Sequence, residues 1–222
     1  GLMRLETRAG TIQSVTRDFI AKQPPSANPV QVLSLTPSAF VTLTEPYGIA
    51  GGNLTLRGLP GDHVGWIYNG AAVNDVGDGG FYANQTSDGD NLKSVSLTPG
   101  SVDIDTPSIS AAAGAAYAEL IDPSHRRGGF VDFSYGSYDM HREFVRLESG
   151  DIGNSGVRAF ASFSNTASDN WRGPGKFTRK HVDFKLIKDF TPESRWTVNA
   201  SYNTNELQLD MYPTKDEFAQ YG

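Results

Sequence analysis

The 222 residues contain no cysteine. Disulfides and thiolate metal sites are therefore excluded, which fits several compartments and selects none. Long apolar runs are also missing: none approaches the roughly 20 residues a membrane-spanning helix needs. A transmembrane β-barrel remains open, because its strands alternate and their average hydropathy stays low. Basic charge is scarce, with 19 Lys and Arg against 25 Asp and Glu and a net charge of -6. No Lys/Arg stripe offsets that balance, so a nucleic-acid partner is not expected. Histidine is rare: His63, His125, His141 and His181 are scattered, none with metal-ligand spacing. No G-x-S-x-G elbow, phosphate-binding loop or H-E-x-x-H helix is present, so neither an enzyme nor a cofactor or metal site is expected. The N-terminal GLMRLETRAG lacks the apolar stretch of a signal peptide. If the protein is exported, that signal has been removed or lies outside this sequence.

Glycine (24) and proline (12) are plentiful, and they punctuate a mixed first half. Thr11 to Phe19 reads as a short strand running into a helix start, with Thr16 or Asp18 available as a cap. Pro24 and Pro25 end any helix there. Asn28 to Leu35 suggests a second short helix with Val30, Leu33 and Leu35 inward. Short strands are expected at Phe40 to Leu43, 53–57 (NLTLR), 64–68 (VGWIY) and 93–97 (KSVSL), and Asn69-Gly70 is a strong turn signal. The stretch Asn74 to Asn91 reads as a long polar loop that can hold a short helix. Ser110 to Leu120 is Ala-rich and helical by propensity, while its Gly and Ser also permit a tight loop.

Beyond Gly128 the hydrophobic period is two. In 130–135, Val131, Phe133 and Tyr135 share a face. In 143–148, Val145 and Leu147 oppose Arg146 and Glu148. In 157–164, Val157, Ala159, Ala161 and Phe163 oppose Arg158, Ser162 and Ser164. In 181–187, Val182, Phe184 and Leu186 oppose His181, Asp183 and Lys185. In 196–202, Trp196, Val198, Ala200 and Tyr202 oppose Thr197, Asn199 and Ser201. The connections 136–141, 150–155 and 190–194 are short, and 166–178 reads as a long loop. Residues 205–222 lose the alternation and read as the start of another loop. The pattern admits two architectures. One is a soluble β-rich binding module, possibly carbohydrate-binding, with its apolar face in a dry core. The other is a transmembrane wall with that face in lipid. Five strands cannot close a barrel, since about eight is the smallest, so the wall reading makes this chain the beginning of a longer protein.

The order of motifs resembles the TonB-dependent outer-membrane receptors over roughly residues 11–204. SVTRDFI (14–20) is similar to the opening plug segment, and VQVLSLTPSAFV (30–41) to a leucine-rich run. NLTLRGL (53–59) is similar to a plug strand ending in Arg-Gly. VGWIYNGAAVND (64–75) resembles a segment that usually carries Asp where Asn69 stands. LKSVSLTPGSVDIDTPSISAAAGAAY (92–117) resembles a strand and small-residue block, with Ser96 in place of a usual Glu and Gly114-Ala115 in place of a Gly-Gly pair. GSYD (136–139) and SNTASDNWRGPG (164–175) resemble early barrel strands and loops.

The resemblance implies a globular α+β plug over 1–127, a small four-stranded sheet with short helices. Antiparallel transmembrane β-barrel strands are implied over 128–222. It implies active uptake of a small-molecule substrate across the bacterial outer membrane, with outer-membrane lipid around the barrel. The energy would come through TonB with ExbB–ExbD acting on an N-terminal box, which is not recognisable before Thr11. Apex-loop residues Asn74, Asp75, Asp78, Phe81, Tyr82, Asn84 and Gln85 are the implied substrate contacts. Arg57, followed by the turn-permitting Gly58, is implied to face the barrel wall and pair with its carboxylates.

Overall fold

The computed structural model describes residues 12–100, 102–108, 110–209 and 213–221. A strand start at Thr11 and any energy-coupling box before it lie outside the described residues.

The first half builds a mixed unit around one sheet. Its elements are β1 (Gln13–Thr16), α1 (Arg17–Ile20), α2 (Pro29–Val32), β2 (Ala39–Thr42), β3 (Asn53–Leu56), β4 (Val64–Tyr68), β5 (Ala71–Ala72), β6 (Leu92–Pro99) and β7 (Gly114–Leu120). The sheet order is β1-β6-β7-β4-β5, and β2 and β3 form a separate ribbon. Among the described residues, only the β4–β7 pair is parallel. The sheet thus holds five strands rather than four, the extra one being two-residue β5. It forms because Asn69 (φ 49°) and Gly70 (φ 85°) make the expected tight turn after β4.

Helix α2 starts where Asn28 Oδ1 accepts from the Gln31 N–H at 3.0 Å, with Pro29 at the first helical position. It continues as a 3₁₀ turn over Leu33–Leu35. That tightening explains a correction. Val30 and Leu33, three apart, share the buried face, but Leu35 rotates off it and is 75% exposed.

The Ala-rich block is a second correction: Gly114–Leu120 is a strand, not a helix. It lies between β4 and β6, and Ala115, Ala116 and Ala118 are buried. Pairing on both edges overrides helix propensity there. The small side chains suit the close packing; a Cβ on Gly114 (φ 134°) would come within 2.2 Å of the Thr98 carbonyl.

The second half is one antiparallel meander of β8 (Arg127–Gly136), β9 (Met140–Ser149), β10 (Val157–Asp169), β11 (Lys176–Thr191) and β12 (Ser194–Leu207), with neighbours in sequence order. The expected long loop at 166–178 shrinks to residues 170–175. Thr166 pairs with Arg179, and Asp169 with Lys176. Thr166 and Ser168 within that stretch, and Arg179 just past it, are buried on the inward face of two long strands. Past β12, α3 (Lys215–Tyr221) opens on a capping box. Thr214 Oγ1 accepts from Glu217 N–H, and Glu217 Oε2 accepts from Thr214 N–H at 2.7 Å.

Register lines the side chains into rows across the meander. Val131, Val145, Phe163, Val182 and Tyr202 form one row, and Gly129, Leu147, Ala161, Phe184 and Ala200 the next. This apolar face is open: Leu147, Tyr202 and Val131 are each more than 60% exposed. The opposite face runs Phe130, Arg146, Ser162, Asp183, Ser201, then Asp132, Phe144, Ser164, His181, Asn203, then Ser134, Arg142, Thr166, Arg179, Asn205. Here Arg142, Arg179, His181 and Asp183 are at most 2% exposed. Charge inside and hydrophobe outside reverses the order of a soluble sandwich and is the order of a lipid-facing wall. No helix among the described residues is long and apolar enough to cross a membrane.

Candidate functional site

The polar face of the meander closes on the loop leading into β6. That loop holds two 3₁₀ turns, Ala83–Gln85 and Gly89–Asn91, and residues 86–91 are all buried. Asp88 is the centre. Arg142 Nη2 reaches its Oδ2 at 3.0 Å, and Arg179 Nη1 donates to its Oδ1. Arg142 also lies 2.9 Å from Asp90 Oδ2 and 3.2 Å from Asp132 Oδ1. Arg179 donates further to the carbonyls of Thr86 and Asn84, and Arg146 to the Asp90 carbonyl at 2.9 Å. Burial pushes the Asp88 carboxyl up, but the Arg179 and Arg142 guanidiniums outweigh it and hold it well below the usual carboxylate range. Asp90, more weakly compensated by Arg142, is left raised by burial.

Two rows further along, Asp183 Oδ2 accepts from Ser87 Oγ at 2.5 Å and from Asn91 Nδ2 at 2.8 Å, and Asn91 also donates to Ser162 Oγ. Tyr68 OH donates to Ser87 Oγ. Loss of water and the nearby Asp183 carboxylate push the Tyr68 phenol well up. At the 150–156 end, Lys185 Nζ donates to the Leu120 carbonyl at 3.0 Å and to Asp122 at 2.9 Å, while Arg158 Nε donates to the Pro123 carbonyl at 3.0 Å. At the 170–175 end, Trp171 Nε1 donates to the Thr44 carbonyl at 2.9 Å, and Tyr47 OH to the Ser137 carbonyl at 3.1 Å. Polar contacts therefore fasten the mixed unit to the sheet along its whole height.

The expected substrate contacts divide. Asp75, Phe81, Tyr82 and Gln85 line one cavity of about 300 Å³ with Tyr68, Val73, Thr86 and Ser201. Phe81 also stacks on Trp66, ring centroids 3.9 Å apart. Asp78 lies beside this group, accepting from Tyr82 OH at 2.6 Å, which lowers its carboxyl from the ordinary value. Asn74 points elsewhere: its amide bonds Trp66 N–H and the carbonyls of Val64 and Gly79, pinning the loop to β4. Asn84 sits against Gly51 and lends its carbonyl to Arg179. Arg57 is exposed in the left-handed region (φ 51°) with Gly58 after it, and its guanidinium lies by Gly100.

The seam is what reading the residues in order missed. In its described part, plug Asp88 and Asp90 face wall Arg142 and Arg179. The available signal was the register: arginine, histidine and aspartate on the same strand face as small hydroxyls call for a polar filling. Among the described residues, no cluster of three or more His, Cys, Asp or Glu could hold a metal ion.

A family profile described as the TonB-dependent Receptor Plug Domain matches residues 4–115. The chain belongs to the TonB-dependent receptor family, with the mixed unit as its plug and the meander as wall strands of an unclosed sheet. A search of curated proteins finds no significant match. Among solved structures, the Pseudomonas aeruginosa receptor FpvA with a heterologous pyoverdine and iron matches with a TM-score of 0.74 at 21% identity, over 90% of this chain and 26% of that one. The alcaligin outer-membrane receptor FauA of Bordetella pertussis matches with a TM-score of 0.69 at 16% identity, over 90% and 32%. The copper transporter OprC matches with a TM-score of 0.67 at 16% identity, over 94% and 32%. The chain thus spans between a quarter and a third of the length of these structures.

Proposed function

We propose that this chain is the plug and first wall strands of an outer-membrane transporter that takes up a small solute and is energised through TonB with ExbB–ExbD. The observation that carries the reading is the inside-out sheet: buried arginines clasp a plug aspartate while the other face offers hydrophobes to lipid. A polar seam suits a gate. Its bonds can be exchanged for water as the plug shifts, which a dry apolar core does not allow cheaply.

On this reading the units divide at 127/128, and the 136–140 and 170–175 connections face outward. The Tyr82–Gln85 cavity receives the solute. Its phenols, amide and carboxylate suit a polar organic molecule, and a ferric chelate is the leading class because FpvA and FauA are named for pyoverdine and alcaligin. Arg57 and Gly58 are proposed to meet wall strands that follow this chain.

The test uses the full-length protein in cells with and without TonB, and a panel of ferric siderophores labelled with radioactive iron. Accumulation of one chelate only when TonB is present supports the reading in full. A chelate entering equally without TonB contradicts energised uptake. Deleting the plug through residue 127 is expected to leave an open pore and sensitise cells to vancomycin, which intact outer membranes exclude. Unchanged resistance, with the shortened protein present in the outer membrane, contradicts the plug reading.

A further inference from the structure

His181 sits on the inward face of β11 and is 2% exposed. Its Nε2 is 2.9 Å from Asp183 Oδ1, and its Nδ1 is 3.1 Å from Asn203 Oδ1. The orientation of the Asn203 amide is fixed independently. The same Oδ1 accepts from Arg179 Nε at 3.0 Å, and a guanidinium nitrogen can only donate. Both ring nitrogens therefore face acceptors, a carboxylate on one side and an amide oxygen on the other. A neutral imidazole has one N–H and would leave two lone pairs opposed.

We infer that His181 is an imidazolium and that its second proton positions Asp183 as the wall anion that holds the plug loop 87–91. The charge balance leads the same way. The cations around this point are Arg179 on β11 and Arg142 and Arg146 on β9; the first two are committed to plug Asp88, and Arg146 to the Asp90 carbonyl and Asn91 Oδ1. Tyr68 from β4 approaches through Ser87, and β10 contributes the uncharged Ser162 and Ser164. That leaves His181 as the sole cationic partner of Asp183 among the described residues. Asp183 in turn accepts from plug Ser87 and plug Asn91. A charged acceptor makes those two bonds stronger than a neutral one would. Replacing His181 by a neutral side chain leaves a buried carboxylate unpaired, which weakens the clasp. His181 is a positioning residue: it acts through Asp183.

The protonation claim stands on hydrogen-bond geometry alone, and only its consequence for gating rests on the transporter reading. The test uses full-length protein in detergent with ring-labelled histidine. Nitrogen NMR near neutral pH is expected to show a pair of protonated ring nitrogens that disappears in His181→Gln. A His181 ring with one unprotonated nitrogen overturns the inference. A cysteine placed at buried Ala83 then reports lifting of the loop through its maleimide labelling. Labelling is expected to be about tenfold or more faster in His181→Gln than in the parent. His181→Arg, which keeps the charge, should label as slowly as the parent. A His181→Gln protein that labels as slowly as its parent overturns the latch.

Discussion

At the residue scale, one carboxylate carries more of the seam than any other. Asp88 is shared by two buried arginines, so Asp88→Asn leaves both without their main partner. Removing one member of such a set costs ~3–5 kcal/mol. Urea unfolding of the plug, followed by Trp66 fluorescence, should show a loss of that order while the wall stays folded. An unchanged midpoint would mean the seam is solvated. The pH sign follows from the depressed Asp88 value. A carboxylate held below its unfolded range contributes stability that is complete above that range and is lost only as pH falls through the lower folded value. Mild acid should thus spare the Asp88 contribution, and only strong acid remove it, as a pH series of the same urea curves would reveal. The loop residues separate by role as well. Tyr82→Ala and Gln85→Ala should lower solute affinity with little effect on folding. Asn74→Ala removes three hydrogen bonds that hold the loop to β4 and Gly79. It should cost about 1–3 kcal/mol of plug stability. If Asn74→Ala changes solute affinity alone, the structural assignment fails.

At the element scale, strand alternation was legible from the residues because each wall strand keeps a strict period of two. The Asn69-Gly70 turn and the Asn28 start of α2 were legible for a similar reason: each is decided by local backbone chemistry. What escaped notice was decided by contacts distant in sequence. The Ala-rich 114–120 segment has helix propensity, yet β4 and β6 claim both its edges. Thr166 and Ser168 look like loop residues until the plug appears opposite them. Leu35 was misplaced because a 3₁₀ turn changes the angular step. The same logic yields a test. Ala116 is fully buried in β7, so Ala116→Leu should overpack the plug at a cost of about 1–3 kcal/mol, read from the plug's urea transition. Tolerance of leucine there would show a looser sheet than the packing indicates.

At the scale of the whole molecule, the residues alone left two architectures open, because alternation does not say which face is wet. The structure resolves that ambiguity through burial: Arg142, Arg179, His181, Asp183 and Lys185 point in, and Val131, Leu147, Phe163 and Tyr202 point out. Half of the candidate site was legible as a polar loop. The other half, the arginines that receive Asp88, lay 54 and 91 residues away. A lipid-facing wall also sets a cost for charge on its outside. Leu147→Lys should destabilise the full-length barrel by ~2–4 kcal/mol if the position lies near the bilayer midplane.

The most direct measurement of the inside-out wall is spin-label accessibility at Leu147 and Val198 in the full-length protein reconstituted in lipid. The account predicts strong relaxation by dissolved oxygen and weak relaxation by a water-soluble nickel chelate at both sites. Strong relaxation by the nickel chelate, or protection from both reagents, would put these faces in water or in a dry core and contradict it.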